Sequence, residues 1–91
     1  MRIDYLSRFD RAFKELPLSS QNDVVLVIEK FLDQLQKGTR SQGIGFRRLK
    51  GNIWEIRSGL QYRVLLELNK DWISFLFVGT HDEVRKFLRH C

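Results

Sequence analysis

The chain has 91 residues, a formal net charge of +5, 43% hydrophobic residues and 30% charged residues. That length supports one hydrophobic core, not two, and the balance is that of a folded chain, not a disordered one. The longest apolar run, Val24 to Ile28, falls far short of the roughly 20 residues a membrane-spanning helix needs, and Met1-Arg2-Ile3-Asp4-Tyr5 lacks the apolar stretch of a signal peptide. The lone Cys91 excludes an internal disulfide framework and suits a reducing compartment. These features predict a single domain over residues 1–91, cytoplasmic and without a membrane partner.

In chain order, Arg2 to Tyr5 alternates polar and apolar side chains, enough for a short first strand. Leu6, Phe9, Phe13 and Leu16 then recur at helical spacing, with Pro17 as the stop. Ser19 and Ser20 offer N-caps for a second helix with Asp23 in its first turn. Its buried stripe is Val24, Ile28, Phe31 and Leu35, and Gly38 suits the left-handed position after its end. The two helices read as an antiparallel hairpin.

Residues 39–52 hold three glycines and no clean period, and read as a loop anchored by Phe46 and Leu49. The period then becomes two. Trp54 and Ile56 point one way, Glu55 and Arg57 the other. Ser58-Gly59-Leu60-Gln61 forms a hairpin connection, after which Tyr62, Val64, Leu66 and Leu68 face one side and Arg63, Leu65 and Glu67 the other. Asn69-Lys70-Asp71 is a second turn. The almost wholly apolar segment Trp72 to Val78 reads as a strand covered on most of both faces. Thr80-His81-Asp82-Glu83 has the spacing of a capping box, opening a short last helix with Val84, Phe87 and Leu88 inward. The predicted order is β-α-α-β-β-β-α, an α+β domain whose small antiparallel sheet carries the helix hairpin on one face.

The charge is concentrated. Residues 37–63 hold seven Lys or Arg residues against Glu55 alone, whereas the flanking segments are close to neutral. Such a block addresses a polyanion, whether nucleic acid, ribosome or acidic protein; it also serves as a plain solvated surface. Interleaving with Phe46, Trp54 and Tyr62 favours the first. The alternation that turns Trp54, Ile56, Tyr62 and Val64 to the helices sends Glu55, Arg57 and Arg63 to the opposite, open face. Lys50 is expected at the rim of that face, and His81 and Arg85 beyond the last strand.

This set suits RNA cleavage without a metal. A ribose 2′-hydroxyl attacks the adjacent phosphate, a base takes its proton, an acid protonates the leaving 5′-oxygen, and cations stabilise the phosphorane. Lys50, Glu55 and His81 supply the acid and base, while Arg57 and Arg63 present planar forks to phosphate oxygens. A simpler arrangement has Glu55 bridging across strands to Arg63 or Arg57 and His81 serving only as the first residue of a capped helix. Zinc is not expected, because His81, His90 and Cys91 are too few and two of them sit at the chain end. Gly43-Ile44-Gly45 is neither a dinucleotide fingerprint nor a phosphate loop. Cys91 lacks a base to activate it. No cofactor is expected.

The segments Leu49-Lys50-Gly51, Trp54-Glu55-Ile56-Arg57, Tyr62-Arg63-Val64-Leu65 and Val78-Gly79-Thr80-His81-Asp82, in this order and with the apolar strand Ile73 to Phe77 before the last, resemble the RelE/ParE superfamily of bacterial toxins. Arg8-Phe9 and Glu15-Leu16-Pro17 extend the resemblance over nearly the whole chain. It implies a toxin of a type II toxin–antitoxin pair, acting as a metal-independent, ribosome-dependent mRNA endonuclease. It implies catalytic roles for Lys50, Glu55, Arg57, Arg63 and His81, with Arg47, Arg48 and Arg85 binding RNA. Arg85 departs from the pattern: many relatives carry Tyr there, and Arg cannot stack on a base as a phenol ring does. The implied partners are an acidic antitoxin that folds on binding, the ribosome and mRNA. Two alternatives share the fold, namely a ParE-like inhibitor of DNA gyrase and a catalytically inert module that only binds nucleic acid or antitoxin.

Overall fold

The computed structural model describes residues 1–38 and 44–90; Gly43 and Cys91, named above, and Arg40, one of the seven basic residues of the 37–63 block, lie outside them. Along the chain run β1 (Arg2–Tyr5), α1 (Ser7–Lys14), α2 (Leu18–Lys37), β2 (Arg47–Lys50), β3 (Ile53–Ser58), β4 (Tyr62–Leu68), β5 (Trp72–Thr80) and α3 (His81–Arg89). The strands form one sheet in the order β1-β5-β4-β3-β2. β2 to β5 are an antiparallel meander, while β1 lies parallel to β5, so the sheet is mixed and not wholly antiparallel as expected.

Two local readings need correction. Residues 47–50, expected as loop, are the edge strand β2. An edge strand needs apolar side chains on neither face, so Arg47-Arg48-Leu49-Lys50 shows no alternation to read. The second helix does not use Ser19 or Ser20 as a cap. Pro17 occupies the N-cap in an extended conformation, and α2 starts at Leu18. Its fixed φ is compatible with that position, and its carbonyl accepts the first helical bond from the Gln21 N–H at 2.9 Å. Asp23 then falls beyond the first turn. The Gln21 side chain instead serves the preceding helix: its Nε2 donates to the Leu16 carbonyl at 3.0 Å, covering a chain end that α1 leaves bare.

The core lies between the sheet and the α1–α2 pair. Phe9, Val24, Ile28 and Phe31 from the helices meet Ile56, Val64, Leu66, Ile73, Phe75 and Val78 from the strands. Fully burying each such aliphatic or aromatic side chain contributes about 1.5–3 kcal/mol. Phe46 leads into β2 by stacking on Trp54, ring centroids 4.4 Å apart, and tilting against Phe31 at 5.2 Å. The opposite face is only partly open. A register shift in β5 opposite Leu65 and Leu66 turns Phe77 to that side, where it stacks on Phe87 of α3 at 4.8 Å. α3 thereby covers the β5 side of the face, and Leu65 is fully buried there. The helix starts as predicted: the Glu83 N–H donates to Thr80 Oγ1 and the Thr80 N–H donates to Glu83 Oε1.

Candidate nucleic-acid interface

Register arranges the polar residues of the open face in rows across the sheet. Arg57 pairs with Arg63, and Arg63 with Gly79. One row along, Arg47 pairs with Glu55, and Glu55 with Leu65. In the next row, past the irregularity between Arg48 and Lys50, Lys50 pairs with Ile53 and Ile53 with Glu67. Rows are about 6.7 Å apart, at roughly 3.3 Å of rise per residue. Lys50 therefore stands about 13 Å along the sheet from the two arginines. His81 lies at the other end, one residue beyond the Thr80–Tyr62 pair. The fold thus groups Arg57, Arg63 and His81 at one end, keeps Glu55 and Arg47 one row away, and sets Lys50 apart.

Burial differs within the set. Arg57, Lys50, His81, Arg47 and Arg85 are exposed. Glu55 is buried at 5% exposure, contrary to an open position on the face. Its Oε2 lies 3.6 Å from Arg63 Nε and 3.6 Å from a terminal nitrogen of Arg47. The cross-strand ion pair considered from the sequence is therefore present, and it takes Arg63, not Arg57. Arg57 makes no ion pair among the described residues. Its backbone N–H donates to the Ile44 carbonyl at 2.7 Å. The Arg57–Arg63 pair is consequently the non-hydrogen-bonded type, in which facing side chains approach most closely. Two arginines occupy facing positions there, and the one neighbouring carboxylate, Glu55, is engaged by Arg63 and Arg47 but not by Arg57, a local excess of positive charge suited to an anion.

Arg57 leans away from Arg63 over the β2 side. Gly45, at φ 60°, leaves room for it: a Cβ there would lie 3.0 Å from Arg57 Nε and 3.1 Å from its Cγ. Arg48 shares the helix-side face with Trp54, and its Nε donates to the Gly51 carbonyl at 2.8 Å, away from the arginine row. Arg85 lies one turn beyond His81 on α3 and on the same side of that helix. Two basic side chains were missed by the sequence reading. Arg8 of α1 lies over the Phe87 ring at 4.7 Å, and Lys30 of α2 shares a cleft with Arg57. Neither belongs to the basic block; the fold sets Lys30 beside it and Arg8 beside α3. Among the described residues, no group of three or more His, Cys, Asp or Glu side chains is placed to hold a metal ion, and no helix is long and apolar enough to cross a membrane.

No family model matches the chain, and no curated protein matches its sequence. Solved structures do resemble it. A copper-bound mutant toxin from Helicobacter pylori is 19% identical, with a TM-score of 0.72 over 92% of this chain and 98% of that one. The RelB-RelE antitoxin–toxin complex from Methanococcus jannaschii contains a chain 22% identical, TM-score 0.71, covering 92% of this chain and 96% of the other. The DinJ-YafQ complex of E. coli contains one 14% identical, TM-score 0.67, covering 92% and 98%. The chain has the RelE-like toxin fold.

Proposed function

We propose that the protein is the toxin of a type II toxin–antitoxin pair and cuts mRNA on the ribosome, in the cytoplasm, without a metal. The observation that carries this reading is the Arg57–Arg63 cross-strand pair: two arginines at facing positions, of which only Arg63 has a carboxylate partner among the described residues. The likeness in fold to toxins solved with their antitoxins supports it, as does the concentration of positive charge around that pair.

In this mechanism Arg57 and Arg63 hold the scissile phosphate and carry the charge that builds on its oxygens. The 2′-oxygen forms its bond to phosphorus as the bond to the 5′-oxygen breaks. His81, at the end of the arginine row, protonates the departing 5′-oxygen. Glu55, one row from the arginines, takes the 2′-hydroxyl proton once RNA displaces Arg47. That displacement is cheap, because the Arg47 side chain is 65% exposed and such pairs contribute at most about 1 kcal/mol. Lys50, two rows away, binds a phosphate farther along the strand, and Arg85 a phosphate beyond His81. An acidic antitoxin masks the same positive surface.

Mapping transcript 5′ ends after induction tests the reading. Growth arrest with new ends inside translated frames at a fixed codon position supports it. Arrest with intact transcripts and a DNA-damage response would instead indicate a gyrase inhibitor, and unaffected growth an inert binding module.

A further inference from the structure

The cleft between α2 and the end of β3 has about 390 Å³ of space and sets two groups that the cleavage mechanism leaves unused, Lys30 and Ser58, beside Arg57. Lys30 comes from α2, Arg57 from the edge of the open face, and Ser58 from the next position on β3, on the helix side of the sheet. Ser58 is buried at 4% exposure, and its hydroxyl has no hydrogen-bond partner among the described residues. A buried hydroxyl without a partner costs on the order of 1–3 kcal/mol; its oxygen lies beneath the surface, so it would meet a ligand in the cleft by rotating outward, a move that loses no existing hydrogen bond. Lys30 makes no ion pair among the described residues either. Asp23 lines the same cleft and opposes anions, leaving two cations against one carboxylate.

We infer that Lys30, Ser58 and Arg57 form a second phosphate seat, taking a backbone phosphate of the RNA strand where it crosses the sheet edge. Ammonium, hydroxyl and guanidinium all donate hydrogen bonds, the complement of a phosphodiester whose oxygens only accept. Gly45 is the saddle between the open face and this cleft. It is exposed, carries no side chain, and lies against Arg57 closely enough that any Cβ would push the guanidinium aside. A strand whose scissile phosphate rests on Arg63 and Arg57 passes over Gly45 and sets its next phosphate against Lys30 and Ser58. This route rests on the RNA-cleaving reading; the anion site itself does not.

Two measurements on the full chain separate the two. In the first, inorganic phosphate is titrated while backbone amide resonances are followed. Shifts at Lys30, Ser58 and Gly59 are expected, lost in Lys30→Ala and strengthened in Asp23→Asn. Absence of those shifts, or shifts indifferent to both substitutions, overturns the site. In the second, binding of a single-stranded RNA with 2′-O-methyl sugars, which cannot be cut, is measured against salt. Lys30→Ala should weaken it 3- to 10-fold and lower the slope of log affinity against log salt by about 0.7, the value for one phosphate contact on a single strand. An unchanged slope in a chain that still cuts mRNA overturns the route while leaving the nuclease reading intact. If polyglutamate binds and responds to Lys30→Ala while RNA binding does not, the cleft is a peptide site and the inference falls. Ser58→Ala is the fold control: it removes a hydroxyl without a partner, so it should unfold no earlier than wild type and still lose phosphate affinity.

Discussion

Glu55 and Arg63 form an ion pair in which both side chains are largely shielded from water, at 6% and 17% exposure, with Oε2 3.6 Å from Nε. The pair joins fold to chemistry. Glu55 offsets the repulsion between Arg63 and Arg57 on the facing strand, and it positions Arg63 at the row where the phosphate is proposed to sit. Removing one partner of a shielded pair leaves the other charge uncompensated. Glu55→Gln is expected to cost about 2–3 kcal/mol in denaturant unfolding and to abolish RNA cleavage at temperatures where the variant is still folded. Arg47→Ala removes only the exposed partner and should cost under about 1 kcal/mol.

Arg57→Ala separates function from stability more cleanly. Its side chain is exposed and makes no ion pair among the described residues, so unfolding should shift by less than about 0.5 kcal/mol. Toxicity on induction should nevertheless be lost. Arg57→Lys should restore little, because an ammonium cannot present two parallel donors to one phosphate.

Gly45→Ala tests the saddle. The positive φ alone costs a residue with a side chain about 1–2 kcal/mol, and the new methyl meets Arg57 at 3.0 Å. A melting experiment should register the loss, and growth arrest should weaken because the guanidinium is displaced.

Much of this architecture was legible in the sequence, and the exceptions have identifiable causes. Trp54, Ile56, Val64 and Leu66 were readable as core-facing because a period of two leaves one choice of face once the helices claim the apolar side. The Thr80–Glu83 capping box was legible because both partners lie within one turn. Strand β2 was not, since Arg47 to Lys50 are edge residues without alternation. The parallel pairing of Ile3 with Ile73 was not, since it joins segments seventy residues apart. Of the candidate site, the face shared by Glu55, Arg57 and Arg63 followed from alternation. The burial of Glu55 did not, because it depends on β2 delivering Arg47 and on α3 covering Leu65. Lys50 looked close to the others in sequence, yet the turn at Gly51 and Asn52 sends it two rows away.

Tyr5 gives a pH-dependent prediction independent of function. Its phenol is held above its ordinary value of about 10, first by burial and second by the Glu29 carboxylate. A folded-state value above the unfolded one favours the folded chain while the phenol is protonated. The contribution is complete below about pH 10 and is lost as pH rises through the folded value. Tyr5→Phe keeps the ring that stacks on Phe75 at 4.9 Å, so its melting temperature should fall less steeply than wild type above pH 10 and run parallel to it between pH 6 and 9.

The most direct test of the central claim uses purified protein and ribosomes stalled on a defined mRNA. The account predicts cleavage of the mRNA by wild type, no cleavage by Arg57→Ala or His81→Ala, and no cleavage of the same RNA without ribosomes. Intact mRNA with the wild-type protein, or equal cleavage by Arg57→Ala, would contradict it.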